Sequence, residues 1–256
     1  MHSARIVELL EPFFGPPNDR RLTTGDYKLT TDDLDTISTY IDLLLRWNAR
    51  INLTAIRDPE QIIPRHFGES FFLARHLFPE RVERTTPPAS SPESLATGHW
   101  PPTSVLDLGS GAGFPALPLK IWAPEIHLTL IESNHKKAAF LREVIRALRF
   151  TNVDVIAARA EDVLRCLRNQ PPGFDHPARD SLNSLPLSPA DIVTFRAVER
   201  FDRILPLAVG FLAPRGRLAL LIGSSQLPAL QTVPLKWEEK HIPQSHGRVL
   251  VIGLHR

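Results

Sequence analysis

The segment VLDLGSGAGF at residues 105–114 constrains the fold of this chain more than any other. An apolar run leads through Asp107 into three closely spaced glycines, Gly109, Gly111 and Gly113, before a further apolar segment. A chain that leaves a buried strand, turns sharply and enters a helix favours glycine, which lacks a Cβ and tolerates left-handed backbone. The segment therefore predicts a strand-to-helix turn, built either around a ligand or as a structural turn without one.

The spacing of the glycines distinguishes between cofactors. A dinucleotide turn, G-x-G-x-x-G, needs a glycine at position 114, where this chain has Phe114. The observed G-x-G-x-G is typical of enzymes that bind S-adenosylmethionine (SAM), whose cofactor has no pyrophosphate to place at the helix N-terminus. We interpret the segment as a SAM-binding turn, and a nicotinamide dehydrogenase as the poorer fit.

An acid ends the next predicted strand. Glu132 follows the apolar run at 127–131, about 20 residues after the glycine turn, where α/β folds place an acid on the ribose of an adenosine cofactor. One carboxylate accepts hydrogen bonds from both ribose hydroxyls. Glu132 could instead cap the helix that begins near Asn134, because acids favour helix N-termini. The spacing favours the ribose role.

Strand and helix patterns alternate through the C-terminal part of the chain. Strands are predicted at 103–108, 127–132, 152–156, 191–196 and 217–222, and helices at about 115–122, 135–148, 161–168 and 201–212. This alternation predicts an α/β fold, a mostly parallel sheet with helices on both faces. A last strand at 248–254 could run antiparallel. Ligands bind beyond the carboxyl ends of such strands, so the predicted site residues should share one crevice.

The N-terminal part of the chain has helical patterns and no strand–helix alternation. Helical patterns occur near residues 4–13, 31–47 and 67–77, and Pro/Ser-rich stretches follow at 85–102 and at about 169–190. We therefore predict a helical segment at 1–84, a flexible linker at 85–102, and a sheet domain at 103–256 that carries a loop insertion at about 169–190.

Composition excludes some classes of protein. The single cysteine, Cys166, rules out a disulfide framework and a Cys-x-x-Cys site, and we predict no metal. The chain has no leader-like start and no run of about 20 apolar residues, so we expect a cytoplasmic protein away from membranes. Residues 103–256 carry 19 basic and 14 acidic side chains, which permits a nucleic-acid partner without requiring one.

Several separate blocks of sequence resemble the ribosomal RNA small subunit methyltransferase G family. These blocks are WNARINLTAIRD at 47–58, RHFGES at 65–70, VLDLGSGAGFPALPLKI at 105–121, IESNHKKAAFLREV at 131–144, RAE at 159–161 and VTFRAV at 193–198. The resemblance implies a Rossmann-like class I methyltransferase sheet, SAM as cofactor, and 16S ribosomal RNA or the small ribosomal subunit as partner. It also implies methylation at N7 of one guanine. We expect a monomer.

The resemblance also carries residue roles over by position. Glu132, Ser133 and Asn134 would meet the ribose and adenine side of SAM. Ala160 and Glu161 would meet its adenine, and Arg196 its methionine end or the incoming RNA. The predicted cofactor-binding residues are Asp107, Gly109, Gly111, Gly113, Phe114, Glu132, Ser133, Asn134, Ala160, Glu161 and Arg196. The chain departs from the family pattern at Glu69, usually aspartate, at Ala116, usually glycine, and at Ile222, usually lysine.

Several alternatives remain open on the sequence alone. Arg196 is the candidate catalytic residue, as a cation that positions the target or the cofactor, but it could form a salt bridge to Glu161 or Glu199. The basic residues of 136–149 could form a solvated helix face or contact RNA. A methyltransferase acting on a small molecule, or a module that binds SAM or a nucleotide without catalysis, would share the glycine turn.

Overall fold

The computed structural model describes residues 2–14, 29–79, 103–168, 188–196 and 200–254. The predicted linker at 85–102 and most of the predicted insertion at 169–190 lie outside these residues. The division of the chain at 84 and 103 therefore stays a prediction.

Seven strands form one sheet in the order β3-β2-β1-β4-β5-β7-β6. The first five strands run parallel, β7 is antiparallel to β5, and β6 is antiparallel to β7. This confirms the predicted parallel sheet and its antiparallel last strand. The strands are β1 Ser104–Leu108, β2 His127–Ile131, β3 Val153–Ile156, β4 Ala190–Arg196, β5 Leu212–Gly223, β6 Lys236–His241 and β7 Arg248–Leu254.

The helices before the sheet form an N-terminal group, and among the described residues four more helices alternate with the strands. The N-terminal group is α1 Ser3–Leu10, a 3-10 turn Glu11–Phe13, α2 Thr31–Asn48, α3 Pro59–Ile62, a π-helical turn Ile63–Gly68 and α4 Glu69–Leu77. The helices between strands are α5 Ala116–Trp122, α6 His135–Ala147, α7 Ala160–Leu167 and α8 Phe201–Val209, and a 3-10 helix spans Ser224–Thr232.

Successive side chains of a strand point to opposite faces of the sheet, so each face has its own core. Val105 of β1 packs in the core shared by α5, α6 and the N-terminal group, whereas Leu106 packs in the core beneath α7 and α8. Helices on both faces are thus confirmed. By the same alternation Asp107 lies on the face that the N-terminal group covers, and Ile222 lies in the opposite core.

Several of the described elements have other bounds than predicted or were not predicted. The strand β5 begins at Leu212 rather than 217, because it continues beside Ala190 across an irregularity in the pairing. The strand β6 was not predicted: KWEEKH is charged, its residues are mostly exposed, and it pairs on one side only, at the edge of the sheet. The helical turns at 59–68, where two prolines interrupt the pattern, were also not predicted.

The buried amide of Asn48 shapes the loop after α2. Its Oδ1 accepts hydrogen bonds from the backbone N–H groups of Leu53 and Thr54, at 2.9 and 3.1 Å, and its Nδ2 donates to Thr54 O at 2.8 Å. The preceding Trp47 packs edge-on against Phe140 of α6, with ring centroids 5.7 Å apart. The WNARINLT segment therefore joins α2 to α6 and fixes the position of Thr54.

We predict that Asn48→Ala destabilises the protein by about 2–3 kcal/mol, because it leaves buried backbone polar groups without partners. Chemical denaturation gives the free energy of unfolding. The matched control is Asn52→Ala in the same loop, whose side chain is exposed and whose loss should cost less than about 0.5 kcal/mol. Equal effects of the two substitutions would contradict this role for Asn48.

Candidate active site

The glycine turn has the left-handed backbone that its sequence predicts. Gly109, Gly111 and Gly113 have φ values of +67°, +55° and +86°. The turn is tied to the end of β2, since the N–H groups of Gly109 and Ser110 both donate to Ile131 O, at 2.8 and 3.1 Å. Side chains at these three positions would strain the backbone, and a Cβ on Gly113 would also overlap the Tyr40 hydroxyl.

Glu132 lies directly against the glycine turn. Its Oε2 accepts a hydrogen bond from Gly111 N at 2.8 Å, and its Oε1 accepts one from Asn134 N at 2.7 Å. The cap of α6 is Asn134 itself, whose Oδ1 accepts from the N–H groups of Lys136 and Lys137. A carboxylate has about four acceptor positions. Glu132 therefore orders two turns and keeps acceptor capacity for a ligand.

Asp107 has a buried carboxyl group whose two oxygens lack a hydrogen-bond partner among the described residues. Burial raises the pKa of this carboxyl well above its usual range; the nearby Ser110 hydroxyl opposes this shift, and the Glu132 carboxylate adds to it. The register partner of Asp107 on β4 is Thr194, whose hydroxyl is also buried and unpartnered within the described chain. Buried polar groups without partners are costly, so this point of the sheet is suited to a ligand that carries donors or positive charge.

Three rings from the N-terminal group surround Phe114, the residue that follows the last glycine. Tyr40 stacks on it at 5.2 Å and His66 at 4.7 Å between centroids, and Phe67 meets it edge-on at 5.2 Å. The Tyr40 hydroxyl donates to Ala112 O at 2.5 Å. Contacts from α2 and the π-helical turn thus fix the position of the glycine turn. Tyr40 was not among the predicted site residues, although it interrupts the aliphatic stripe of α2 with a polar-tipped ring.

The ring of His66 is held in a neutral state. Its Nε2 lies 2.8 Å from Thr54 Oγ1, and its buried Nδ1 has no partner among the described residues. Burial lowers the pKa of His66 to about 3, and the nearby cations Arg196 and Arg65 contribute to the shift. At neutral pH the wall of the site beside Phe114 is therefore aromatic and uncharged.

A buried carboxylate, Glu69, contacts three arginines from three elements. Its side chain is 2 % exposed, and it forms ion pairs with Arg65 at 2.8 Å, with Arg196 at 3.1 Å and with Arg248. These residues belong to the π-helical turn, β4 and β7, so the cluster joins the N-terminal group to the sheet. The sequence indicated Glu69 only as a departure from a family pattern, because its partners are 4, 127 and 179 residues away along the chain.

Arg196 lies at the end of β4, on the same face of the sheet as Asp107 and Thr194. Its Nη2 donates to Arg65 O at 2.7 Å, and its buried Nη1 has no partner in the described part of the chain. Burial, with a smaller contribution from Arg65, lowers the pKa of Arg196 to about 9. Its carboxylate partner among the described residues is Glu69 and not Glu161, one of the two alternatives raised from the sequence; the other, Glu199, lies outside those residues.

The remaining predicted residues lie at the ends of β2 and β3. Ser133 and Asn134 are exposed beside Glu132, and Ile156 O accepts the Glu132 N–H at 3.0 Å, so the chain leaves β3 next to that acid. Ala160 and Glu161 then begin α7. Their predicted contact with an adenine stays a prediction. The two departures at 116 and 222 are both buried apolar residues.

Two negative findings apply to the described residues. They contain no group of three metal-ligating side chains, and none of their helices is long and apolar enough to cross a bilayer. The thiol of Cys166 is free and partly buried on α7.

Comparison with known proteins gives consistent matches. The family model of rRNA small subunit methyltransferase G matches residues 33–84 and 94–250. Proteins named ribosomal RNA small subunit methyltransferase G are similar over most of the chain. The one from Roseiflexus castenholzii is 36% identical over 77% of this chain and 71% of its own length. Those from Chloroflexus aggregans and Xanthomonas campestris pv. campestris are 35% and 30% identical, over 83% and 85% of this chain and 78% and 84% of their own lengths.

We predict that Glu69→Gln lowers the free energy of unfolding by about 3–5 kcal/mol, because it leaves three neighbouring arginines without their shared carboxylate. Denaturant titration measures this value. The matched control is Glu60→Gln, which removes an exposed ion pair with Arg5 and should leave stability nearly unchanged. A Glu69 variant as stable as its control would show that the cluster does not hold the N-terminal group to the sheet.

A second prediction concerns acid stability. The pKa of His66 is depressed in the folded state, so the unfolded chain takes up a proton first as the pH falls below about 6.5. This residue should therefore remove about 1.4 kcal/mol of stability per pH unit between pH 6 and pH 4. His66→Gln should flatten that dependence, whereas a variant at the exposed His135 should behave like the unsubstituted protein. Identical acid sensitivity in the His66 variant would disprove the assignment.

Proposed function

Because the chain belongs to the rRNA small subunit methyltransferase G family, we propose that it transfers a methyl group from SAM to N7 of one guanine in 16S ribosomal RNA. The structural observation that best supports this proposal is the pair of acids at the ends of β1 and β2. Asp107 is buried without a partner, and Glu132 is hydrogen-bonded to the glycine turn with acceptor positions to spare. These are complementary to the ammonium group and the ribose hydroxyls of one ligand.

Three further features fit SAM. The left-handed glycines bring backbone close to a ligand, the cluster of rings around the buried Phe114 lies beside them, and Ser133 and Asn134 are exposed next to Glu132. We assign Ala160 and Glu161 to the adenine side, because the chain leaves β3 beside Glu132. Arg196, with an unsatisfied Nη1, is assigned to the methionine carboxylate or to the incoming RNA.

When bound, SAM supplies an electrophilic methyl group on a sulfonium. Guanine N7 has a free lone pair at neutral pH, so the chain needs no general base and must mainly align the two groups and exclude water. The rigid turn, the aromatic wall and the buried acids are suited to that task. A neutral His66 also suits it, because an imidazolium at this wall would repel the sulfonium.

We further propose that one chain carries a complete site. The Asp107 carboxyl, the Glu132 carboxylate, the ring wall on Phe114 and Arg196 all come from the same chain. A monomer is therefore sufficient. A ribosomal RNA substrate also agrees with the expected cytoplasmic location.

The proposed activity is tested by incubating the protein with labelled SAM and small subunits from cells that lack the modification. We expect label in 16S RNA, mapped to N7 of a single guanine by chemical cleavage. SAM binding without transfer to RNA would instead support a non-catalytic binding module. Transfer to small molecules alone would support the other methyltransferase class, and either result would overturn the proposal.

We predict that Asp107→Asn weakens SAM binding by tenfold or more, because a charge-assisted contact to the ammonium group is lost. Because burial raises the pKa of Asp107, binding a cation at a pH below that pKa should release a proton, which calorimetry detects as a heat that depends on the buffer. The variant should bind without that proton release. The exposed Asp191→Asn is the matched control. Unchanged affinity and unchanged proton release in the Asp107 variant would contradict its role.

A further inference from the structure

A groove lies between the C-terminal half of α6 and the edge strand β3, outside the candidate active site. It has a volume of about 370 Å³, with apolar walls that include Ile145, Phe150 and Val155. Three arginines, Arg142, Arg146 and Arg149, also line it. β3 is the last strand on this side of the sheet, so the described part of the chain places no further strand beside the groove.

Two of the arginines share one side of α6. At 3.6 residues per turn, positions 142 and 146 lie about 40° apart around the helix axis. Arg142 donates to Val155 O at 3.1 Å and so covers an edge-strand carbonyl, while Arg146 contacts Glu143 and keeps 79% of its side chain exposed. Arg149 follows the helix with a left-handed backbone, φ +53°, and is exposed.

Two acids lie near the three arginines, so the groove keeps an excess of one positive charge. Asp154 forms part of its wall and lies 2.9 Å from His127 Nε2, and Glu143 pairs with Arg146 at 2.6 Å. A small excess of positive charge therefore borders an apolar floor that includes the ring of Phe150. Arginine matches phosphate with paired donors, and unpaired bases stack on aromatic and apolar side chains.

We propose that this groove is a second RNA contact, which binds the phosphates and an unpaired base of small-subunit RNA away from the nucleotide that is methylated. The inference rests on the proposed function. Helix α6 links the two places: it starts at Asn134 beside Glu132, and its 13 residues span about 20 Å to the groove. A contact at that distance anchors the RNA without touching the reacting atoms.

The test compares the double variant Arg146→Ala/Arg149→Ala with the unsubstituted protein. We expect the KM for small subunits to rise about tenfold, while kcat and the Kd for SAM remain unchanged. Binding to protein-free 16S RNA should weaken similarly. The slope of log affinity against log salt concentration should fall by about 1.5, because two phosphate contacts are lost.

The matched control is Arg46→Ala/Arg215→Ala. Arg46 is an exposed helical arginine, and Arg215 is exposed with φ +65°, so the pair reproduces the charge loss and backbone type of the test variant. If the test variant matches this control in KM and in salt dependence, the groove does not bind RNA. A defect on assembled subunits without any change on protein-free RNA would indicate a protein partner and would also overturn the proposal.

The proposed function and the assignment of the groove to RNA binding can be disproved independently of each other. If the unsubstituted protein transfers no methyl group to 16S RNA, the proposed function is wrong. If it does so and the double variant is indistinguishable from it, only the groove assignment is wrong.

Discussion

The buried carboxylate of Glu69 is the interaction on which the arrangement of the site depends. Three arginines from the π-helical turn, β4 and β7 converge on it. An isolated charge in such a place is strongly disfavoured, so the carboxylate and its partners are stable only when all these elements are assembled. The cluster thereby fixes the position of His66 and Phe67, which follow Arg65 directly and pack on Phe114.

The glycine turn is held between two sets of contacts. In the first set, the backbone N–H groups of Gly109 and Ser110 donate to the end of β2, and that of Gly111 donates to the side chain of Glu132. In the second set, which comes from the N-terminal group, the Tyr40 hydroxyl donates to Ala112 O and the aromatic rings enclose Phe114. The turn is therefore rigid before any ligand arrives. Burying the Asp107 carboxyl without a hydrogen-bond partner costs free energy, and a cationic ligand would reduce that cost.

The strands of the parallel sheet could be predicted because each is a short apolar run between turn residues, and the helices between them carry period-3.6 patterns. KWEEKH of β6 carries no such signal. Its strand conformation comes from pairing with β7, a neighbour supplied by the folded sheet. The helical turns at 59–68 were missed for a related reason. Pro59 and Pro64 interrupt the helical sequence pattern. In the structure, however, each lies in the first turn of its own short element, where proline is tolerated.

The sequence alone determined the sheet, the glycine turn and the acid that follows β2, because these depend on local backbone geometry and on spacings of about 20 residues. The blocks in 47–200 were sufficient to indicate the family. Only the tertiary structure decided that Tyr40 and His66 lie on Phe114, that Arg196 pairs with Glu69, and that the α6 arginines border a groove. Such contacts join residues that are distant in the chain, and their energies arise from burial, which no local pattern records.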